Sequence, residues 1–566
     1  MVAVAAFAFG QAPRHLRVLN YVPDSCYSLT VMNLDTVARV MELESLHREH
    51  VLKVIYDSLS FSKKLVQSWL KRDSKLGVDF TASVAIANSR CFLLPLNSER
   101  NFEKTLRSLD KTVPPFETVT APDGQKVRCT VLEDGGMGVA VICTGDVACV
   151  VMLNDMDALY SMALQNTAIS DTADLDRLYE TLYKRDDPMQ LWARMSRSRF
   201  VESEIAKSMS SKGWSSYTAY NHRNSLMRLL GTALERFAAA PEEISRMVGQ
   251  IDMEIFSRTE VRRDRFTMVS EVRQHAGQPG LSSLRRAPEK LDRLLPYMGG
   301  EHFLLAVGTG EGYGDLMKPY AELIPQMRGL WPLLNYPFVF AMNSTEEILF
   351  GTLVDEPGKV RGILERYVEE SNRITDSTFR AQAEARKAQA EAEKEAFSKK
   401  MEEGDAYEEF ETMGFPFGSA VDPEDSTVNM KTLSCKKIDD WDAYIVVTRK
   451  QEMDYETFTM VVKDDSACVL LKDGLLFYAE SLGAMDVLSN PVEREWPREY
   501  FEHLFYAKAD FNALVALLGP EAALPMRDMV MHADDNTFTL NVNAVPGLHH
   551  GLLYETLMFV MDFFRN

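Results

Sequence analysis

The same order of expected elements runs twice along the chain, and that repetition limits the fold more than any single motif. Residues 27–32 (Tyr-Ser-Leu-Thr-Val-Met) read as a strand, and Asn33-Leu34-Asp35 starts the helix after it. Residues 302–307 (His-Phe-Leu-Leu-Ala-Val) again read as a strand, and a glycine-rich turn leads to a helix expected near 316–330. Next come 83–89, ending in Asn88-Ser89, a strand at 92–96, and a helix bearing Phe102, Leu106 and Leu109. Their counterparts are 338–344, ending in Asn343-Ser344, a strand at 348–354, and a helix bearing Val360, Leu364 and Tyr367. Hairpins at 139–153 and 467–479 break at Gly145-Asp146 and Asp473-Gly474, and Met156-Asp157 and Met485-Asp486 follow in helices. Strands at 265–269 and 537–541 close the two series.

Antiparallel hairpins with helices between them specify an α+β fold. The expectation is an internally duplicated chain, with antiparallel sheets, helices packed on one face, and a long charged helical insertion in the second half. Alternation at 457–462 fits a half-buried antiparallel strand. The loop Gly277-Gln278-Pro279-Gly280 separates the halves, so the modules are expected at 13–285 and 286–566, with the insertion and its return loop at about 373–430.

The insertion breaks the composition most plainly from Ala381, where every residue type in the run favours helix until Gly404. Asp376 with Arg380, and Glu395 with Lys399, have the spacing of i,i+4 ion pairs. Unbroken from 376 to 403, such a helix would extend about 40 Å. A solvated arm is the plain reading. The functional alternative is a partner-binding seam, because Ala381, Ala385, Ala388, Ala392 and Ala396 share one face.

The charge is strongly negative, with 62 Lys and Arg against 83 Asp and Glu and a net charge of −21. A net anion has no surplus cations with which to displace phosphate counterions, so nucleic acid is not an expected partner. No eighteen-residue apolar run is present, so no spanning helix is expected. Other envelope proteins are the expected partners.

The start of the chain suggests a destination. Residues 2–9 are a short apolar run, and Ala8 and Gly10 suit cleavage before Gln11, so 1–12 read as the remnant of a signal peptide without its basic front. A first strand or frayed terminus is the plain alternative. Seven cysteines, several inside apolar runs, form no C-x-x-C pair and read as buried free thiols, with a Cys143–Cys149 bridge left open.

Catalytic fingerprints are incomplete. Residues 308–314 space their glycines two apart, which does not satisfy G-x-G-x-x-G, and a strand-to-helix turn is the expected role. Ser60 with Lys63, and Ser434 with Lys437, match S-x-x-K without the accompanying motifs. His47 and His50 lie one helical turn apart, His549-His550 sits in a polar loop, and His532 with Asp534 and Asp535 marks a turn. None completes a zinc or calcium ligand set, so no catalytic, metal or cofactor residue is assigned and no cofactor is expected.

Leu19-Asn20-Tyr21-Val22-Pro23 before the first strand, the Asn33-Leu34-Asp35 helix start, and Thr537-Phe538-Thr539-Leu540-Asn541 before a last amphipathic helix carry a resemblance. The chain resembles a family of exported Bacteroidota cell-envelope proteins known only as a domain of unknown function. That resemblance implies a periplasmic or cell-surface protein, often lipid-anchored, although no cysteine follows the signal here. It brings no catalytic residues. The expected function is therefore an exported, non-enzymatic binding or structural role in the envelope. The rivals are an envelope hydrolase acting on peptide or glycan, and a cytosolic scaffold if Met1 is retained.

Overall fold

The computed structural model describes residues 14–22, 26, 28–48, 71, 74–88, 91–109, 111–120, 126–134, 137–153, 187–195, 253–274, 280–299, 302–317, 330–343, 348–377, 379–380, 430–454, 459–492, 495–513 and 524–563. They form two compact units, the first from the described residues up to Ser282 together with those from Phe505 onward, the second from Ser283–Leu504.

The first unit's strands begin with β1 (Ser28–Asn33), β2 (Ser83–Ala87), β3 (Cys91–Pro95), β4 (Glu117–Thr120) and β5 (Lys126–Asp134). They continue with β6 (Met137–Cys143), β7 (Val147–Leu153), β8 (Met189–Met195), β9 (Met253–Val261) and β10 (Arg265–Gln274). The second unit holds β11 (Arg285–Arg286), β12 (Leu304–Gly308), β13 (Gly310–Glu311), β14 (Phe338–Met342) and β15 (Ile348–Leu353). Its remaining strands are β16 (Lys431–Ile438), β17 (Trp441–Asp454), β18 (Thr459–Lys472) and β19 (Leu475–Ala479). The chain then returns to the first unit with β20 (Phe505–Asp510), β21 (Met526–Asp534) and β22 (Thr537–Ala544).

Among the described residues, the strands within each unit pair antiparallel. In the first unit the order is β4-β5-β6-β7-β3-β2-β1-β8-β9-β10-β22-β21-β20. The second unit's main ladder runs β12-β14-β15-β19-β18-β17-β16, and β11 pairs with β13. The structure is thus sheet-rich and antiparallel, with a few helices.

The module boundary expected at 285/286 lies close to the change of unit at Ser282/Ser283, but the residues from Phe505 on group with the first unit. The physical tie is the β10–β22 ladder, in which Thr267 Oγ1 donates to Asn541 Oδ1 at 2.8 Å and Arg265 Nε donates to Asn543 Oδ1 at 3.0 Å.

The helices used below are α1 (Leu34–Val40), α2 (Leu43–Arg48), α3 (Glu99–Leu109), α4 (Tyr313–Met317), α5 (residues 357–377), α6 (Met485–Leu488) and α7 (Leu552–Phe563). Asn33 caps α1 as its sequence suggests, its side chain accepting from the Thr36 amide at 3.1 Å. Of the helix expected near 316–330, only its start in α4 and the 3-10 turn Trp331–Leu334 beyond it are described.

The faces opposite α3 and α5 are covered by 3-10 segments. Cys149, Ile142 and Leu93 belong to one core with Val18, Leu19 and Val22 of the 3-10 segment Arg14–Tyr21 and its end. Ala148, Val141 and Cys143 belong to another with Phe102 of α3. Neighbours along a strand face opposite ways, so this part of the sheet is covered on both sides. The second unit repeats the arrangement. Val360, Ile363 and Leu364 of α5 pack with Tyr444, Val469 and Leu476, whereas the next residue, Phe477, meets Tyr297 of the 3-10 turn Leu295–Tyr297, ring centroids 5.3 Å apart.

Candidate functional site

In the first unit, three chain segments meet where α1 gives way to α2. Glu42 follows the α1 C-cap with φ 47°, a left-handed conformation that usually selects glycine. Its carboxylate explains the choice. Oε2 lies 2.7 Å from His550 Nδ1, and Oε1 accepts the Gly551 amide at 2.6 Å. Arg263, in the β9–β10 turn, donates to the His549 and Leu548 carbonyls at 2.6 and 3.2 Å and accepts the Leu552 amide at 2.8 Å. The His550 amide donates to Glu555 Oε1 at 3.1 Å, and the His550 ring stacks on Tyr554 at 4.0 Å.

Glu42 and His550 are each about one-third exposed, at 32 %. Burial pushes the Glu42 carboxyl upward, but hydrogen bonds from His550 and Gly551 and the charges of His550 and Arg263 outweigh it and hold the group below its ordinary value. The contact engages Nδ1 with a carboxylate and leaves Nε2 outside it, the arrangement of an oriented base. Among the described residues His550 bonds to no Ser, Thr or Cys side chain, so a nucleophile of the triad type is not assembled there. What the junction does is satisfy the first-turn amides of α7 and fasten that helix to two distant turns.

A second polar knot ties the 3-10 segment to the sheet. The Arg17 guanidinium is buried, pairs with Asp79 at 3.0 Å, and donates to the Leu96 and Asp146 carbonyls at 2.8 and 3.2 Å. Tyr21 donates to the Asp146 carboxylate at 2.9 Å. Burial raises the Asp79 carboxyl, yet bonds from the Thr81 hydroxyl and amide and from Arg17, with the charge of Arg17, bring it below the usual range.

The glycine-rich turn of the second unit is likewise consumed internally. The amides of Thr309, Gly310, Gly312 and Asp315 donate to Leu504 O, Tyr313 Oη, Asn335 O and Asn335 Oδ1 at 2.9, 3.3, 2.8 and 3.1 Å. A Cβ at Gly314 would overlap the Trp331 carbonyl, and one at Gly308 the Phe338 ring. Burial pushes the Tyr313 phenol up to about 12. The turn's glycines therefore answer to close packing, and the donors that a phosphate would need are already committed.

The remaining sequence candidates divide by place. Ser60, Lys63 and His50, and the alanines Ala381, Ala385, Ala388, Ala392 and Ala396, lie outside the described residues, as do residues 1–12, Glu395 and Lys399. Ser434 and Lys437 fall on β16, where a separation of three puts side chains on opposite faces, so they cannot act as an S-x-x-K pair. His532 and Asp534 share a face of β21, and Asp535 takes φ 42° in the following turn. Asp376 and Arg380 form their expected pair at 2.8 Å. All seven cysteines are free, which closes the question of a Cys143–Cys149 bridge, and Cys435 is the exposed one. No helix among the described residues is long and apolar enough to cross a membrane.

Missed in the sequence were Glu42, Arg263, Arg17 and Asp79. Only Glu42 carried a local signal, a charged residue at a helix end where glycine is usual. No family model, no curated protein and no solved structure matches the chain.

Proposed function

We propose that the chain is an exported, non-enzymatic binding or structural protein of the bacterial cell envelope, of the kind its Leu-Asn-Tyr-Val-Pro opening resembles. One observation carries the non-enzymatic part: groups with chemical potential serve as anchors. Glu42, His550 and Arg263 secure α7, Arg17 and Asp79 secure the first 3-10 segment, and the glycine-turn amides are bonded within the fold.

We further infer an internal duplication, which would give such a protein two related sheet surfaces. The strand order β1-β2-β3-β7-β6-β5-β4 in the first unit matches β12-β14-β15-β19-β18-β17-β16 in the second. Segment 17–22 (Arg-Val-Leu-Asn-Tyr-Val) corresponds to 293–298 (Arg-Leu-Leu-Pro-Tyr-Met), at the same spacing ahead of β1 and β12. Arg17 reaches the Asp146 carbonyl in the β6–β7 turn, and Arg293 reaches the Asp473 carbonyl in the β18–β19 turn, at 3.2 and 2.7 Å. A structural arginine at both places is hard to obtain by chance matching of hairpins.

Two measurements test the reading. Mass spectrometry of the mature N-terminus should find it at or near Gln11; an intact Met1 defeats export. Affinity capture from envelope fractions, with the full chain and with residues 376–403 removed, should yield partners that the deletion loses; an unchanged set removes the alanine seam. The oriented Glu42–His550 pair favours one competitor, an envelope hydrolase. Turnover of envelope peptide or glycan that His550→Gln abolishes would replace the present reading with that one.

A further inference from the structure

The α3 helix sorts its charges by side. Phe102 and Leu106 turn into the core, and Glu99 and Glu103 turn towards β5, where Arg128 lies 3.9 and 2.8 Å from them. These two acids are only 23 % and 16 % exposed. Arg100, Lys104 and Arg107 are all exposed, and the helical repeat brings them within about 60° of one another on the outward side. Lys111 is exposed in the turn beyond. Lys126 is exposed two residues before Arg128 on β5, so it shares the sheet face that α3 covers. None of these five cations pairs or hydrogen-bonds through its side chain with another described residue.

The stripe gives the helix no support of its own. Arg107 has an acid four residues before it, Glu103, but that carboxylate is committed to Arg128. Arg100 with Lys104, and Lys104 with Arg107, are like charges at i,i+4 and i,i+3, which work against a helix. Residues 99–111 with Lys126 and Arg128 hold six cations and three acids, counting Asp110, which lies outside the described residues. The chain as a whole carries −21.

Charge and shape together select what meets this stripe. Among the described residues the exposed large apolar side chains, Met189, Val462, Val487 and Val492, stand on β8 and in the second unit. The stripe therefore lacks the apolar centre that a protein interface packs. Duplex nucleic acid, with a charge about every 1.7 Å, would set its many phosphates against the acidic remainder of the chain. A plane, by contrast, touches a cylinder along a line, and the three cations mark such a line on α3. We propose that the α3 stripe seats the protein on a bilayer surface rich in anionic lipid, with headgroup phosphates taking the cations and no side chain entering the hydrocarbon. Screening confines this attraction to about 8 Å at physiological ionic strength. Acids far from the stripe therefore do not cancel it, and they keep other faces of the protein off the lipid. The contact needs no cleaved N-terminus and stands whether or not the chain is exported.

The test is co-sedimentation of the full chain with vesicles of phosphatidylglycerol and phosphatidylcholine, and with vesicles of phosphatidylcholine alone. The expected result is binding to the first and not the second at about 0.1 M salt, with release at about 1 M, where the screening length falls to about 3 Å. Arg100→Gln, Lys104→Gln and Arg107→Gln should each weaken binding about fivefold, and the triple variant about a hundredfold. The three side chains are exposed, so circular dichroism should not change. Lys463→Gln, at an exposed lysine of β18, should bind as wild type does. Equal binding to both vesicle types overturns the proposal, as does phosphatidylglycerol binding that the triple variant keeps. A chain that leaves phosphatidylglycerol vesicles alone also overturns it, and capture of dextran sulfate through the same cations would then assign the stripe to a soluble polyanion.

Discussion

Replacing Glu42 separates two energies that the α1–α2 turn combines. The first is the backbone cost: a side chain at φ 47° sits in a region that costs about 1 kcal/mol for any residue except glycine. The second is the carboxylate's gain from the bonds to His550 Nδ1 and the Gly551 amide, at 2.7 and 2.6 Å. A fully buried charge-assisted bond contributes about 1.5–3 kcal/mol. At 32 % exposure water replaces part of that gain, and about 1 kcal/mol per bond is the reasonable share. Glu42→Ala therefore loses about 2 kcal/mol with no backbone relief, whereas Glu42→Gly recovers about 1 of it. The order reverses the usual ranking in which alanine is the safer replacement. Acid should erase the carboxylate's share, bringing wild type down towards the alanine variant, and leave the alanine–glycine order unchanged. The Glu42 carboxyl is held below its ordinary 4.5 in the folded chain, so the unfolded chain binds more protons in that window. The stabilisation is thus complete above that ordinary value and lost as pH falls through the lower folded one. Hydrogen exchange of the amides of residues 551–563 measures it, because Glu42 holds the first turn of α7. Equal exchange in Glu42→Ala and Glu42→Gly would refute the backbone argument, and an alanine variant equal to wild type would refute the anchor.

Three further outcomes follow from the same geometry. Gly314→Ala drives a methyl into the Trp331 carbonyl and the Asn335 side chain, and should cost about 2 kcal/mol or more in urea unfolding. Arg17→Met strands the Asp79 carboxylate, which is only 14 % exposed, and should cost about 3 kcal/mol at pH 7. Because Asp79 is held below its ordinary 3.8, that loss should shrink in urea melts run progressively below this value. Iodoacetamide at pH 8 should add one group per native chain, at Cys435, since burial pushes Cys91 and Cys143 up to about 12 and Cys149 also well above its ordinary value. Intact-mass spectrometry counts the additions, and the other thiols should react only in urea.

What was legible in this sequence was local. The β18–β19 turn announces itself because Asp473 and Gly474 both take positive φ, 49° and 77°, and few other pairs tolerate that. Apolar runs broken by turn residues likewise exposed the hairpins β2–β3, β14–β15 and β6–β7, at Asn88-Ser89, Asn343-Ser344 and Gly145-Asp146. The 3-10 segments were illegible for the opposite reason. Val18, Leu19 and Val22 are buried, but three apolar residues in one tight turn match neither a helical nor a strand period. The anchors were hidden by distance, since Glu42 and His550 are 508 residues apart and Arg17 and Asp79 are 62 apart. No periodicity links such pairs, and each residue alone looks like a solvated charge. The duplication proposed above would remove part of that blindness. An arginine followed by two apolar residues and, one position later, a tyrosine occurs at 17–21 and again at 293–297, and in both units the arginine reaches a carbonyl of the turn beside the third strand's partner. Under the proposed duplication the recurring arginine marks an anchor to the turn, buried at Arg17 and exposed at Arg293, beside apolar neighbours that are buried both times.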